Sequence, residues 1–366
     1  GSVFILNFSS FVIGAGFSNR RKGFARSGAR GGPCAANGNK KLVRSPQRRA
    51  RNRLDRAARV DERRVREYHV AMTNAPSQPP SANPLRGAQL SFVGVGVMAE
   101  AMIAGLLRRQ LVTRSQIVGS HPRAARREEL QTHYGIRMVE SNREAATLAD
   151  ATQKGAEGAT ASVVVVAVKP QRIGRVLQEL KGALVGEQLV LSVVAGAHME
   201  SIAGELEHTS VARAMPNTPA QIGQGMTTWT ATPQVTERQL EGVRALLGAL
   251  GREMYVDNEN MIDMATALSA TGPTYIFMMM EALVDAGVHM GFSRHVAEEL
   301  VIQTMLGSVL FARETHKHPA ELRNMVTSPG GTSAEAIYQM EKGSLRTVLS
   351  KAVYAAYQRA VALGQK

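Results

Sequence analysis

Short apolar runs alternate with amphipathic stretches between residues 89 and 257. Strands are predicted at residues 90–95, 117–120, 162–168, 189–194 and 211–214, with helices between them and a further helix at residues 235–250. Residues 163–166 are four consecutive valines, apolar on both faces as in a central strand of a parallel sheet. This part of the chain is therefore predicted to be an α/β domain with a mostly parallel sheet.

Strand signals cease after about residue 258. Helical periodicity continues to the end of the chain, at residues 262–268, 274–290, 294–315, 333–343 and 344–363. Strand–helix units followed by a series of helices predict two folded domains. We place the first at residues 89–257 and an all-α domain at residues 258–366.

Charge sets residues 1–88 apart from the rest. The formal net charge of the chain is +14, and residues 1–88 contain 18 Lys and Arg against 4 Asp and Glu, whereas the remainder contains 26 of each. A folded basic face, which nucleic-acid binding needs, is therefore not predicted, and no apolar run is long enough to span a membrane. We expect residues 1–88 to be a basic, disordered leader and linker.

Three interpretations of this leader stay open. It is a spurious or removable segment with Met72 as the true start, an organelle transit peptide, or a basic tail with its own partner. The single cysteine, Cys34, favours a reducing compartment. We expect a cytoplasmic protein, or a mitochondrial or plastid one if residues 1–71 are a transit peptide.

A glycine-rich motif directly follows the first predicted strand and opens a helix. Gly94 and Gly96 are spaced as in dinucleotide-binding turns, where glycine lets the backbone approach a pyrophosphate at a helix N-terminus. The second predicted strand ends at Ser120 without the acidic residue typical of NAD sites, and Arg123 follows it. NADPH is thus favoured, with NADH still possible; a glycine turn without ligand and a solvated arginine are the plainer alternatives.

Further candidates lie at strand ends and in the helical half. Lys169 ends the valine strand at the edge where open α/β sheets bind ligands, and Asn217 lies between two prolines after a later strand. Consecutive glycines and hydroxyl residues at residues 330–333 expose backbone amides suited to a carboxylate; they are Gly330, Gly331, Thr332 and Ser333. Helix capping alone would also explain the hydroxyls. No spacing of ligand residues predicts a metal site.

These segments together resemble pyrroline-5-carboxylate reductase. The resemblance covers about residues 90–363 and is carried by AVKPQ at 167–171, SVVAG at 192–196, MPNTP at 215–219 and VTSPGGTS at 326–333. It implies an N-terminal Rossmann domain and a C-terminal helical domain through which two subunits interlock, often in larger rings of dimers. It also implies NADPH-dependent reduction of 1-pyrroline-5-carboxylate to L-proline.

The resemblance also assigns residues. It implies cofactor contacts at Gly94, Gly96, Val97, Met98, Ser120, Asn142, Ala167, Lys169 and Ala195. We add Arg123 and Asn217 to this set, and Lys169 also to the substrate site. The substrate carboxylate is expected at residues 330–333, with Ser333 as the catalytic residue that orients the imine nitrogen. Two departures are the bulkier residues at 267–274, expected to narrow the substrate pocket, and Ser333 where the family has threonine.

Other functions stay open at this point. One is a reductase of another cyclic imine or of a keto acid on the same fold. The other is a sensor that binds NADPH without turnover, which would need the glycine motif but not the loop at residues 330–333.

Overall fold

The computed structural model describes residues 83–151 and 162–364. The predicted leader up to residue 82 and residues 152–161 lie outside the described residues. Leu85 and Ala88 are fully buried, and the Gln116 side chain donates hydrogen bonds to both of their carbonyls, at 3.0 and 2.7 Å. Core packing therefore extends to the N-terminal side of Gln89, where the sequence places the start of the first domain.

Eight strands in the described residues form one sheet. They are β1 (Leu90–Val93), β2 (Ile117–Ser120), β3 (Arg137–Val139), β4 (Val163–Val166), β5 (Leu189–Ser192), β6 (Val211–Met215), β7 (Gly225–Ala231) and β8 (Gly251–Tyr255). Their order is β3-β2-β1-β4-β5-β6-β7-β8. Strands β1 to β6 are parallel, β7 pairs antiparallel with β6, and β8 runs parallel to β7. The mostly parallel α/β sheet is confirmed, and β3, β7 and β8 are strands that the sequence did not predict.

Helices cover both faces of the sheet. They are α1 (Val97–Arg108), α2 (Ala124–Tyr134), α3 (Asn142–Ala151), α4 (Ile173–Leu180), α5 (Met199–Leu206) and α6 (Glu237–Gly248). Val163 and Val165 pack with residues of α1 and α6 in one core cluster, whereas Val164 and Val166 pack with residues of α4 and α5 in another. The valine run thus fills both layers, which is why it is apolar at every position.

The remaining helices follow without a strand. They are α7 (Asn260–Ala265), α8 (Gly272–His289), α9 (Arg294–Thr315), α10 (Pro319–Met325), α11 (Thr332–Lys342) and α12 (Leu345–Gly364), with a π-helical turn, Thr266–Ala270, between α7 and α8. Helix α8 packs on α9, and α12 packs on α7 and on the π-helical turn. Within the described residues, no helix has the length and apolarity that a membrane crossing requires.

This helical part buries few of its own apolar side chains. Helix α9 has one buried residue, Ala297, and α12 has one, Ala360. Most of the exposed large apolar side chains of the described residues lie after residue 260, Leu306 among them with 51% of its surface exposed. An apolar surface of this extent on a folded chain indicates an interface with another molecule.

Candidate active site

The turn after β1 has the geometry of a phosphate cradle. Gly94 has a φ of +82°, and a Cβ there would lie 2.5 Å from Val168 Cγ1, so only glycine fits. Among the described residues, no atom lies within 4 Å of a Cβ built at Gly96, and no side chain caps α1, which begins after Gly96. The first amides of α1 are therefore open to a ligand. These features fit a dinucleotide pyrophosphate, held by backbone amides and the positive end of the helix dipole.

The predicted cofactor residues meet at one edge of the sheet. Strands β1, β2, β4 and β5 are parallel, so the residues that follow their carboxyl ends lie at the same edge. The structure places there the cradle residues Gly94, Gly96, Val97 and Met98, and also Ser120, Ala167, Lys169 and Ala195. Val97 is 62% exposed and Lys169 is exposed, whereas Met98 packs partly on the core.

A series of hydrogen bonds connects the Gly94 turn to β2, α3 and α4. The Gly94 amide donates to Ser120 Oγ at 3.1 Å, and the Ser120 hydroxyl donates to Asn142 Oδ1 at 2.7 Å. Asn142 Nδ2 in turn donates to Glu179 Oε2 at 2.7 Å. Ser120 is fully buried and Asn142 half-buried. Three residues that the sequence grouped are thus in contact, and Glu179 is a partner that it missed.

The three arginines after β2, Arg123, Arg126 and Arg127, differ in whether their side chains already form ion pairs. Arg126 pairs with Glu100 and, at 2.8 Å, with Glu129, and Arg127 pairs with Glu140 at 3.0 Å. Arg123 is exposed and takes no part in the ion pairs of residues 83–151 and 162–364. Of these three arginines, Arg123 is therefore the one whose side chain is available to contact a 2′-phosphate.

His121 lies beside these arginines and immediately after β2. Its Nδ1 accepts a hydrogen bond from the Arg123 amide at 3.2 Å. Burial lowers the pKa of His121, and the charges of the neighbouring arginines lower it further. The imidazole is thus held neutral near neutral pH, with its proton on Nε2.

Asn217 is placed by contacts within the protein. Its Oδ1 accepts from the Met226 amide at 2.9 Å, and its Nδ2 donates to the Ser269 carbonyl at 3.4 Å. The side chain therefore links the end of β6 to β7 and to the π-helical turn. These contacts give Asn217, which the sequence analysis adds to the cofactor set, a structural role as well.

The loop at residues 330–333 precedes α11. Gly330 has a φ of +69°, and Gly331 is the N-cap of α11, where a Cβ would lie 2.5 Å from Ser328 Oγ. No side chain caps α11, and the amides of Thr332 and Ser333 have no backbone partner among the described residues. This is the arrangement of open amides that a carboxylate requires.

The bulkier residues at 267–274 differ in their exposure, with Ala270 and Thr271 half-buried and Thr274 exposed. Ala267 is buried, and Ala270 packs on the cluster of Met215, Val256 and Ile262. The Thr271 hydroxyl donates to the Thr266 carbonyl at 2.9 Å. The expected narrowing of the substrate pocket by these residues stays a prediction.

A buried ionic network joins β6 to α7 and was missed from the sequence. Arg213, with a fully buried side chain, pairs with Asp263 at 2.6 Å and with Glu259 at 3.0 Å. Glu259 also accepts from the Met199 amide at 2.9 Å, and His198 Nδ1 lies 3.3 Å from Arg213. We call these four side chains, Arg213, Glu259, Asp263 and His198, the Arg213 network. The signal was present as an arginine inside an otherwise apolar strand.

The loop after β5 is closed by the end of the chain that the structure describes. Gly196, next to Ala195, has a φ of +74°, and a Cβ there would lie 2.8 Å from Leu363. The last turn of α12 therefore packs directly on the loop that carries Ala195. In the described residues, no group of three or more His, Cys, Asp and Glu is arranged to hold a metal ion.

Comparisons with known proteins match both halves of this architecture. Residues 259–363 match the family model for pyrroline-5-carboxylate reductase dimerisation, and residues 89–196 match that for NADP oxidoreductase, coenzyme F420-dependent. Pyrroline-5-carboxylate reductase of Synechocystis is 39% identical over 278 residues, which cover 76% of this chain and 99% of that relative. The chain belongs to the pyrroline-5-carboxylate reductase family. The resemblance stated from the sequence is confirmed.

Solved structures agree with this membership. A pyrroline-5-carboxylate reductase from Coxiella burnetii is 34% identical, with a TM-score of 0.67 over 76% of this chain and 100% of that one. The Plasmodium falciparum pyrroline carboxylate reductase, solved with NADP bound, is 26% identical, with a TM-score of 0.67 over 76% of this chain and 99% of that one. The predicted Rossmann fold with an all-α dimerisation domain is thereby confirmed, and the exposed apolar helices lie in the region of the dimerisation match.

Proposed function

We propose that this reductase uses NADPH to convert 1-pyrroline-5-carboxylate to L-proline, the last step of proline biosynthesis. The observation that carries the proposal is the pair of open helix N-termini, at Gly96 and at Gly331, in a chain of the pyrroline-5-carboxylate reductase family. The first is suited to a pyrophosphate and the second to a carboxylate. The relatives are named as reductases, which weighs against a sensor and against another substrate.

Positioning is the main contribution of the protein in this reaction. NADPH, when bound, supplies a hydride for the imine carbon of the substrate, and the imine nitrogen takes up a proton. Gly94 and Gly96 would hold the cofactor through backbone amides, with Val97, Met98, Ala167 and Ala195 along its path and Arg123 near its 2′-phosphate. Ser120, Asn142, Lys169 and Asn217 complete the proposed cofactor set. The gain in rate comes from aligned reactants rather than from a strong protein acid.

The loop at residues 330–333 would bind the substrate. The amides of Thr332 and Ser333, which have no backbone partner among the described residues, would hold the carboxylate. The Ser333 hydroxyl would orient the imine nitrogen, which solvent can protonate because a free imine is basic. Ser333 is therefore proposed as the catalytic residue, with Gly330 and Gly331 shaping the loop.

A homodimer is the proposed working form, with larger rings of dimers built on it. The exposed apolar side chains of α8 to α12 and the match to the dimerisation family model support this assembly. Burying a surface of that kind is the usual basis of an obligate homodimer. Size-exclusion chromatography with light scattering measures the mass, and a monomer at micromolar concentration would contradict the proposal.

The first experiment is cofactor oxidation by the full chain with 1-pyrroline-5-carboxylate, followed by detection of proline. We expect turnover with NADPH, and slower turnover with NADH. Ser333→Ala should lower kcat about tenfold to a hundredfold with little change in the KM for NADPH. Gly331→Ala should raise the KM for the substrate, because its Cβ would displace Ser328. A folded dimer that binds NADPH and forms no proline would refute the proposed reaction.

We also propose a cytoplasmic location. The support is the single cysteine of the chain, which fits a reducing compartment. Microscopy of the full chain fused at its C-terminus to a fluorescent protein tests this. Accumulation in a mitochondrion or a plastid would contradict it.

A further inference from the structure

Glu179 ends the hydrogen-bond chain that begins at the cofactor cradle. The chain connects Gly94, Ser120 and Asn142 to Glu179 through bonds of 3.1, 2.7 and 2.7 Å. The first three are proposed cofactor residues, whereas Glu179 has no role in the function described above. It lies on α4, and its other carboxylate oxygen accepts from Arg175 Nε at 2.9 Å.

Glu179 determines which group donates and which accepts in every hydrogen bond of this series. A carboxylate only accepts hydrogen bonds, so Asn142 must turn Nδ2 towards it and Oδ1 towards Ser120. The Ser120 hydroxyl then has to donate to Asn142, and its lone pair receives the Gly94 amide. With Asn142 reversed, its carbonyl oxygen would face the carboxylate with no proton between them, which is unfavourable for a half-buried pair.

The charge of Glu179 acts on the same region. Two bonds of 2.7 Å and the width of one amide group place the carboxylate within about 8 Å of Ser120, at the end of β2 where the ribose of a dinucleotide lies. Arg175 offsets this charge only in part, because its side chain is 85% exposed. A negative charge at this distance disfavours a 2′-phosphate more than a 2′-hydroxyl.

We propose that Glu179 is a positioning and specificity-determining residue for the cofactor. It holds Asn142, and through it Ser120 and the Gly94 turn, in the orientation that binds the adenosine half. Its charge limits the preference for NADPH over NADH. This inference rests on the proposed function, since it concerns the proposed cofactor site.

Calorimetric binding of adenosine fragments to the intact protein separates the two effects. The probes are 2′,5′-ADP, which carries the 2′-phosphate, and 5′-AMP, which lacks it. Glu179→Gln keeps an acceptor for Asn142 but removes the charge, so we expect about three- to tenfold tighter binding of 2′,5′-ADP and an unchanged affinity for 5′-AMP. Glu179→Ala removes the acceptor, so binding of 5′-AMP and of NADH should weaken about three- to tenfold.

Glu241→Gln is the matched control. Glu241 is an exposed acidic residue on α6, which packs in the core cluster of the opposite sheet face from that of α4. We expect it to change neither affinity by more than about twofold. The KM values of the Glu179 variants should follow their binding constants, with kcat unchanged.

Two results would overturn the inference. Equal binding of 2′,5′-ADP by the unchanged protein and Glu179→Gln would refute the role of the charge, and unchanged 5′-AMP binding by Glu179→Ala would refute the positioning role. If the unchanged protein does not bind NADPH, the proposed function itself fails. That outcome is distinguishable, because the inference concerns differences between variants of a protein that binds the cofactor.

Discussion

Replacing Arg213 by methionine removes the cation at the centre of the Arg213 network while keeping an unbranched side chain. In the folded protein, Asp263, with 5% of its side chain exposed, would then be a buried carboxylate without its partner at 2.6 Å. Breaking a buried ion pair on one side costs about 3–5 kcal/mol, because the remaining charge stays desolvated. For a chain of this size that corresponds to a fall in Tm of roughly 6–20 °C.

The matched control is Arg346→Met. Arg346 pairs with Glu341 at 2.7 Å on the surface, where its side chain is 68% exposed. An exposed pair contributes about 0–1 kcal/mol, so its loss should shift the Tm by a few degrees at most. Both variants are unfolded thermally and in urea at one fixed protein concentration, since the stability of the proposed dimer would depend on concentration.

The double variant Arg213→Met with Asp263→Leu distinguishes stability from geometry. Removing both charges should restore much of the lost stability, because two apolar side chains leave no charge unpaired. Turnover should not return with it, since Arg213 also ties β6 to α7 and thereby sets the loops that carry Asn217 and Ser269. Equal stability of Arg213→Met and Arg346→Met would refute this reasoning about the Arg213 network.

Three further predictions concern other parts of the molecule. Gly94→Ala should weaken NADPH binding at least tenfold and lower stability by about 1–3 kcal/mol, because of its positive φ and its contact with Val168. Burial and the hydrogen bond to Glu100 raise the pKa of Tyr134 to about 12. The contribution of the neutral Tyr134 to the free energy of unfolding is therefore complete below about pH 10 and is lost as the pH rises towards 12. Tyr134→Phe should remove this pH dependence of stability in urea titrations. Leu306→Glu should yield monomers in light scattering, because Leu306 lies on the exposed apolar face of α9, whereas Val185→Glu, outside the helical part, should not.

Strong local patterns made much of the fold predictable. The strand at residues 117–120 was predicted with the bounds that the structure has, and so was the helix at residues 294–315. The first strand was predicted to end at residue 95, but it ends at Val93, because Gly94 turns the chain with a positive φ. Apolar runs and helical periodicity are local features of the sequence, so these elements are predicted without knowledge of their tertiary contacts.

The strands that were missed depend on tertiary contacts. Strand β7 contains three threonines beside Trp229, and its polar appearance hid a strand in which Thr227, Thr228 and Thr230 are all buried. Strand β8 follows α6 with almost no loop, and β3 has three residues. Their pairing in the sheet, rather than their own pattern, makes them strands.

The candidate site was predictable only where one segment of chain builds it. The cradle at Gly94 and the loop at residues 330–333 are continuous segments, so motif spacing indicates both as candidates. Asn142, which no spacing indicated, came from the family resemblance alone, and Glu179 was not found at all. Asn142 and Glu179 are 37 residues apart in the chain and contact each other between α3 and α4, which the sequence of one protein does not reveal.

The Arg213 network connects the sheet domain to the helical part of the chain. Strand β6 leads to Asn217, and α7 leads through the π-helical turn to Ser269, so one buried arginine anchors both segments. The last turn of α12 packs on Gly196, which adds a third segment next to Ala195. In the proposed function, the sheet holds the cofactor and the helices hold the substrate, so the two are aligned only if these segments keep their distances from one another. Hydride transfer needs sub-ångström positioning of its reactants. We therefore expect the Arg213 network to maintain that positioning.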